Sequence, residues 1–161
     1  MTNLAAKTIL LAVAGGWFAA PVFCQAERSV PVKAPYAQAL VQKLMAAHPD
    51  LAFIGIHVVP PGQTDNLIIA CTNPAKIGQV STDRDMELVK SKATKVQFNK
   101  AHNDYEVDAW FSDASGEVLG MLVYHFSGTI ATSEQDAVKR AAEIRSELQS
   151  SIPNRERLFQ E

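Results

Sequence analysis

The sequence predicts an α+β domain: a mainly antiparallel five-stranded sheet covered by N- and C-terminal helices. Three observations lead there. Two pairs of short apolar segments are joined by loops of only a few residues, which favours antiparallel hairpins. An amphipathic helical pattern precedes the first pair and another follows the second. Between them, Val118 to Phe126 is apolar at both strand parities, as a central strand covered on both faces must be.

Each element has its own signal. Tyr36 to His48 reads as a helix because Leu40, Val41, Leu44 and Met45 recur at three-to-four spacing, and Pro49-Asp50 ends it. Leu51 to Val59 is apolar and β-branched and is closed by Pro60-Pro61-Gly62, so it reads as a strand. Asn66 to Cys71 is the returning strand. Thr72 to Thr82 has the composition of an ordered surface loop with Ile77 as an apolar plug. Ser81 or Thr82 then caps a helix running through Lys90, whose first turns carry Asp83, Asp85 and Glu87. Val96 to Phe98 reads as a short strand. Tyr105 to Phe111 and Val118 to Phe126 form a second hairpin about Ser112-Asp113-Ala114-Ser115-Gly116. Ser133 to Ser151 is a helix with the stripe Ala137, Val138, Ala141, Ile144 and Leu148. In the charged tail, residues 153–161, Leu158 and Phe159 are placed to pin the chain back onto the body.

Ahead of the domain, residues 1–26 read as a secretory signal peptide. Lys7 is the only charge before Glu27 and is followed by the apolar run Thr8 to Ala20. Small side chains at Cys24 and Ala26 favour cleavage before Glu27. The alternatives are an uncleaved membrane anchor, for which the run falls short of the roughly 18 residues of a spanning helix, and lipidation at Cys24, which the bulky Phe23 disfavours. Cleavage places a single domain, residues 36–152 behind an extended lead-in at 27–35, in the periplasm or outside the cell.

The mature chain would carry 14 basic and 17 acidic residues over 135 positions. That balance attracts neither nucleic acid nor an anionic membrane. Once Cys24 leaves with the signal, Cys71 is alone, and its apolar neighbours Leu67 to Ala70 favour a buried thiol over an exposed one.

Several stretches together resemble extracytoplasmic Cache domains, which are PAS-like sensor modules. They are Ile68 to Asn73, then Lys76-Ile77-Gly78, then Asp83-Arg84-Asp85, and finally the hairpin Ser112 to Gly120 of the form aspartate-x-x-glycine-x-hydrophobic-hydrophobic-glycine. The resemblance spans about Leu40 to Gly128. It implies a ligand pocket roofed by residues 73–92 and floored by the second hairpin. Sensor Cache domains usually sit between membrane helices and feed a cytoplasmic output domain, so this chain is expected to be a stand-alone exported member that signals through a partner, such as a membrane sensor protein.

Within that pocket, Arg84 would hold a ligand carboxylate through its planar fork, or else pair with Asp83, Asp85 or Glu87 on an exposed helix. His57 and His125 lie in strands whose parity allows one common face, where they would bind ligand, hold a transition metal or a haem iron, titrate as a pH sensor, or sit as hydrogen-bonded core or edge histidines. Tyr105 and Trp110 would line the wall or fill core. No metal-ligand spacing is present, and no metal or cofactor is expected. Glu106 and Asp108 share one strand face, which suits acid–base work or merely a solvated face. No nucleophile motif or phosphate loop appears, so the expected function is small-molecule binding or sensing without catalysis. A ligand-free structural or assembly protein and a hydrolytic enzyme are the alternatives.

Overall fold

The computed structural model describes residues 28–161, so the expected signal peptide lies outside the described residues. Five strands form one sheet: β1 (Leu51–Val58), β2 (Leu67–Cys71), β3 (Thr94–Asn99), β4 (Asp104–Ser112) and β5 (Val118–Ser127). Their order is β2-β1-β5-β4-β3, and every neighbouring pair is antiparallel. The α+β architecture is therefore the one expected, with β5 at the centre of the sheet.

Helices α1 (Pro35–Ala47) and α3 (Glu134–Ser150) supply the apolar cover of one face. Pro35 opens α1, where its missing N–H loses no helical hydrogen bond. The side chains of Ile54, Ile56 and Val58 on β1, Val107 and Phe111 on β4, and Leu122, Tyr124 and Phe126 on β5 are fully buried. They join Leu40, Val41 and Leu44 of α1 and Ala137, Ala141, Ile144 and Leu148 of α3 in one core. The C-terminal tail closes that core: a 3-10 turn over Glu156–Phe159 buries Leu158 completely.

Helix α2 (Asp83–Ser91) lies across the opposite face. Thr82 caps it by accepting from the Asp85 N–H while the Asp85 carboxylate accepts from the Thr82 N–H, a reciprocal capping box. None of its residues is fully buried, so its cover is partial. Strand β3 is longer than expected, six residues rather than three. At a sheet edge, hydrogen bonding to β4 sets the length, and Lys95 and Gln97 join the ladder without needing burial.

The β4–β5 hairpin explains its own sequence pattern. Asp113 accepts from the N–H and hydroxyl of Ser115 and from the N–H of Glu117, and these bonds, the Ser115 side chain foremost, hold its carboxyl below the usual range. Gly116 adopts φ +92°, a conformation that side-chain-bearing residues rarely hold. Gly120 faces Val58 of β1 across the ladder, and a Cβ there would run into the carbonyl oxygen of His57. Gly120→Ala should therefore cost about 3 kcal/mol, since strand separation is the only relief. Chemical denaturation reads this as a lowered midpoint, and an unchanged midpoint would mean that β1 and β5 do not approach as described.

Candidate functional site

The strands that bury apolar side chains on the α1/α3 face carry a different set on the other. On β4 these are Glu106 and Asp108, on β5 Met121, Val123 and His125, and on β1 Phe53 and His57. Together with Ile68 of β2, Lys76 and Asp85 they line an open cleft of about 220 Å³ beneath α2 and the loop before it. Gly55 lies between Phe53 and His57 along β1, and a Cβ there would press on the Phe53 ring at 3.3 Å and on His57 Nε2 at 3.4 Å. The missing side chain leaves these two rings their space.

His57 is buried, and a hydrogen-bonded relay sets its tautomer. The Ser81 hydroxyl donates to Asn66 Oδ1 at 2.7 Å, so its single proton is used. His57 Nδ1, 2.9 Å from the same oxygen, must therefore be the N–H that donates to Ser81. Nε2 is left as a lone pair, without a hydrogen-bond partner among the described residues. Burial pushes the imidazole down to about 4, against the pull of Asp85 and with a small push from Lys76, so it is neutral at physiological pH.

The three carboxylates differ in how they are satisfied. Asp85 closes the α2 capping box. Glu106 accepts from Gln97 Nε2 at 3.0 Å and lies 3.8 Å from His125 Nε2, while His125 Nδ1 is 2.9 Å from the Asp104 carboxylate. Asp108 is only 8% exposed and has no hydrogen bond or ion pair among the described residues. Burial first, then the charges of Glu106 and Asp85, push its carboxyl up to about 6, with Arg84 and His125 pulling the other way.

The residues singled out from the sequence divide. His57 and His125 share the cleft, but offset: His57 stands opposite Met121 and His125 opposite Phe53 in the β1–β5 register. Arg84 is exposed on α2 and does not line the cleft. It forms no ion pair among the described residues either, so neither of its two expected roles is seen. Tyr105 belongs to the other face: it pairs with core residue Phe126 and packs on Phe98, ring centroids 4.8 Å apart. Trp110 has the right parity but lies beyond the cleft, against Lys92 Nζ at 5.2 Å and the Arg145 guanidinium at 5.3 Å. Of the two roles open to them, Tyr105 and Trp110 take packing positions and do not line the cleft, whereas Glu106 and Asp108 do line it.

Phe53 was not singled out from the sequence, although its place four residues before His57 on one strand face could have found it, and Asp85 was masked by its role at the start of α2. Cys71 is buried and donates its S–H to the Asn73 carbonyl at 2.9 Å, and burial pushes its thiol up, which keeps it protonated.

Chemically, the cleft is lined by more hydrogen-bond acceptors than donors, with Lys76 as its one ammonium. Ser81 is no activated nucleophile, because its proton goes to Asn66 and His57 offers it an N–H rather than a base. Among the described residues no three His, Cys, Asp or Glu side chains are grouped to hold a metal ion, and no helix is long and apolar enough to cross a membrane. Two wider depressions, about 430 Å³ beside the lead-in and tail and about 380 Å³ between β3 and α3, lack histidines and hold one carboxylate side chain each.

The two shifted groups oppose one another in acid. His57, depressed in the fold, stabilises above its unfolded value of 6.5, and this is lost as pH falls towards about 4. Asp108, raised in the fold, contributes stability that is full below 3.8 and is lost as pH rises through about 6. Asp108→Asn should therefore match the parent protein near pH 4 and exceed it by about 1–2 kcal/mol at pH 7, discounted for water reaching the cleft. Urea denaturation across that range checks this; equal stability at both ends would show that Asp108 ionises freely.

No protein-family model and no curated protein matches the sequence. Among solved structures, the chain is similar to a protein described as a GAF sensor from Burkholderia vietnamiensis, with TM-score 0.51 and 13% identity over 75% of this chain and 76% of that one. It also aligns with the Agobacterium tumefaciens repressor BlcR, at TM-score 0.47 and 14% identity over 74% of this chain and 68% of that one. The likeness to the GAF sensor structure is one of fold, and agrees with the α+β architecture described above.

Proposed function

We propose that this protein is an exported small-molecule-binding or sensory accessory module, and that its ligand sits in the cleft between the sheet and α2. The observation that carries the reading is that two polar groups lining the cleft, His57 Nε2 and the Asp108 carboxyl, have no hydrogen-bond or ion-pair partner among the described residues, although both residues are largely withdrawn from solvent. A ligand that supplied those partners would gain hydrogen bonds that the described chain leaves open. The likeness to a sensor fold is consistent with this role. Catalysis is not part of it, since the cleft offers acceptors and a neutral imidazole but no activated nucleophile. The resemblance to stand-alone Cache domains adds a place outside the cytoplasm and a partner that carries the signal onward.

Ligand binding should raise the melting temperature saturably and should fail in Val123→Trp, which fills the half-exposed cleft wall. Differential scanning fluorimetry against amines, carboxylates, amino acids and purines measures this. Stabilisation that survives Val123→Trp in a folded protein would move the site elsewhere. For export, N-terminal sequencing of protein recovered from the producing cells should find a chain beginning near Glu27, and an intact N-terminus would replace the soluble module with a tethered one.

A further inference from the structure

We infer that the cleft takes a small organic ammonium ion, its N–H groups received by the unpaired carboxylate of Asp108 and its hydrocarbon laid against Phe53, Met121 and Val123. This rests on the cleft being the ligand site. Nearly every polar group turned into the space is an acceptor: the carboxylates of Asp85, Glu106 and Asp108 and the Nε2 lone pair of His57. Of these, Asp85 is already engaged by the α2 cap and Glu106 by Gln97, whereas Asp108 is free. An anion would meet three carboxylates, with Arg84 outside the lining. A metal ion would need ligands that converge, and among the described residues they do not. An ammonium with a short hydrocarbon body satisfies both the charge and the apolar walls.

The chain itself shows how a cation sits there. Lys76 Nζ lies 5.3 Å from the centroid of the Phe53 ring, a cation–π arrangement at the rim of the same cleft. Its long side chain is exposed and joins no ion pair among the described residues. A ligand ammonium would compete with it for the same field. The volume, about 220 Å³, exceeds the roughly 150 Å³ that accommodates one benzene ring, which sets the scale at a small amine.

The titratable and charged groups around Asp108 come from every neighbouring element: Glu106 on its own strand, Lys95 opposite it on β3, His125 on β5, His57 on β1, Asp85 on α2 and Lys76 before it, with Arg84 acting through its charge from outside the cleft. Lys95 turns its ammonium to Gln97 at 2.9 Å instead. Because a cation binds the ionised carboxylate, its affinity should weaken about tenfold from pH 7.5 to pH 5, as Asp108 takes up a proton.

The test uses three probes of one shape, 3-methylbutylamine, 3-methylbutanol and 3-methylbutanoate, titrated into the mature chain with binding followed by NMR at Met121, Val123 and Ile68. The amine should bind saturably and at least about tenfold more tightly than the alcohol or the acid. Asp108→Asn, verified as folded from its spectrum, should lose about tenfold in amine affinity and most of its pH dependence, while Lys76→Met should bind the amine as well or better. Preference for the butanoate or the alcohol at these residues would overturn the ammonium assignment and leave the cleft as a binding site. Unchanged amine affinity in Asp108→Asn would overturn it too. Silence of all three probes at the cleft residues would overturn both.

Discussion

Strand β5 is flanked on both edges by other strands and covered on both faces, and most of the molecule follows from that two-sided burial. Leu122, Tyr124 and Phe126 require an apolar layer on one side, while Met121, also buried, lines the cleft on the other. The chain meets the first requirement with two long helices and the tail, all contributing to a single core. The second falls to α2 and the loop before it, and α2 buries none of its own residues completely. A short, charged helix cannot seal a five-stranded sheet, so the cover is incomplete and a cleft remains.

The incompleteness has chemical consequences. Side chains at the edges of the partly covered face are polar, yet deep enough that water solvates them poorly. Most of them find partners: Ser81 and Asn66 hold His57, Gln97 holds Glu106, and Asp104 holds His125. Asp108 does not, and burial, with the charges of Glu106 and Asp85 beside it, pushes its carboxyl up to about 6. A fold that satisfied itself would have placed an asparagine or an apolar residue there, because an unpaired buried carboxylate works against stability at neutral pH. On the proposed reading, this residue is where stability yields to recognition, and the surrounding acceptors set what kind of molecule is recognised.

Much of the fold was legible from periodicity and turn chemistry. Hairpins, helix caps and the double-sided apolar pattern of β5 are local signals, and each element appears within a few residues of its expected bounds. The site was legible only in outline. The roof at residues 73–92 was implied by the resemblance to Cache domains, and the common face of His57 and His125 follows from strand parity, which is a local signal. Tyr105 and Trp110 were left between wall and core because parity does not say which face is sealed or where α2 stops. Glu106 and Asp108 look from sequence like any alternating acidic strand, since only the third dimension shows that a helix lies over them. Arg84 drew notice as the obvious anion binder, but the helical turn that brings Asp85 into the cleft leaves its neighbour in solvent.

The titration of a single carboxyl bears most directly on this account. With the Asp side chains labelled with carbon-13 at Cγ and the Asp108 signal identified by its loss in Asp108→Asn, the ligand-free protein should show a midpoint near 6. A midpoint near the ordinary 3.8 would mean that Asp108 is solvated or paired, and the cleft would then lack the unsatisfied group on which its reading as a ligand site depends.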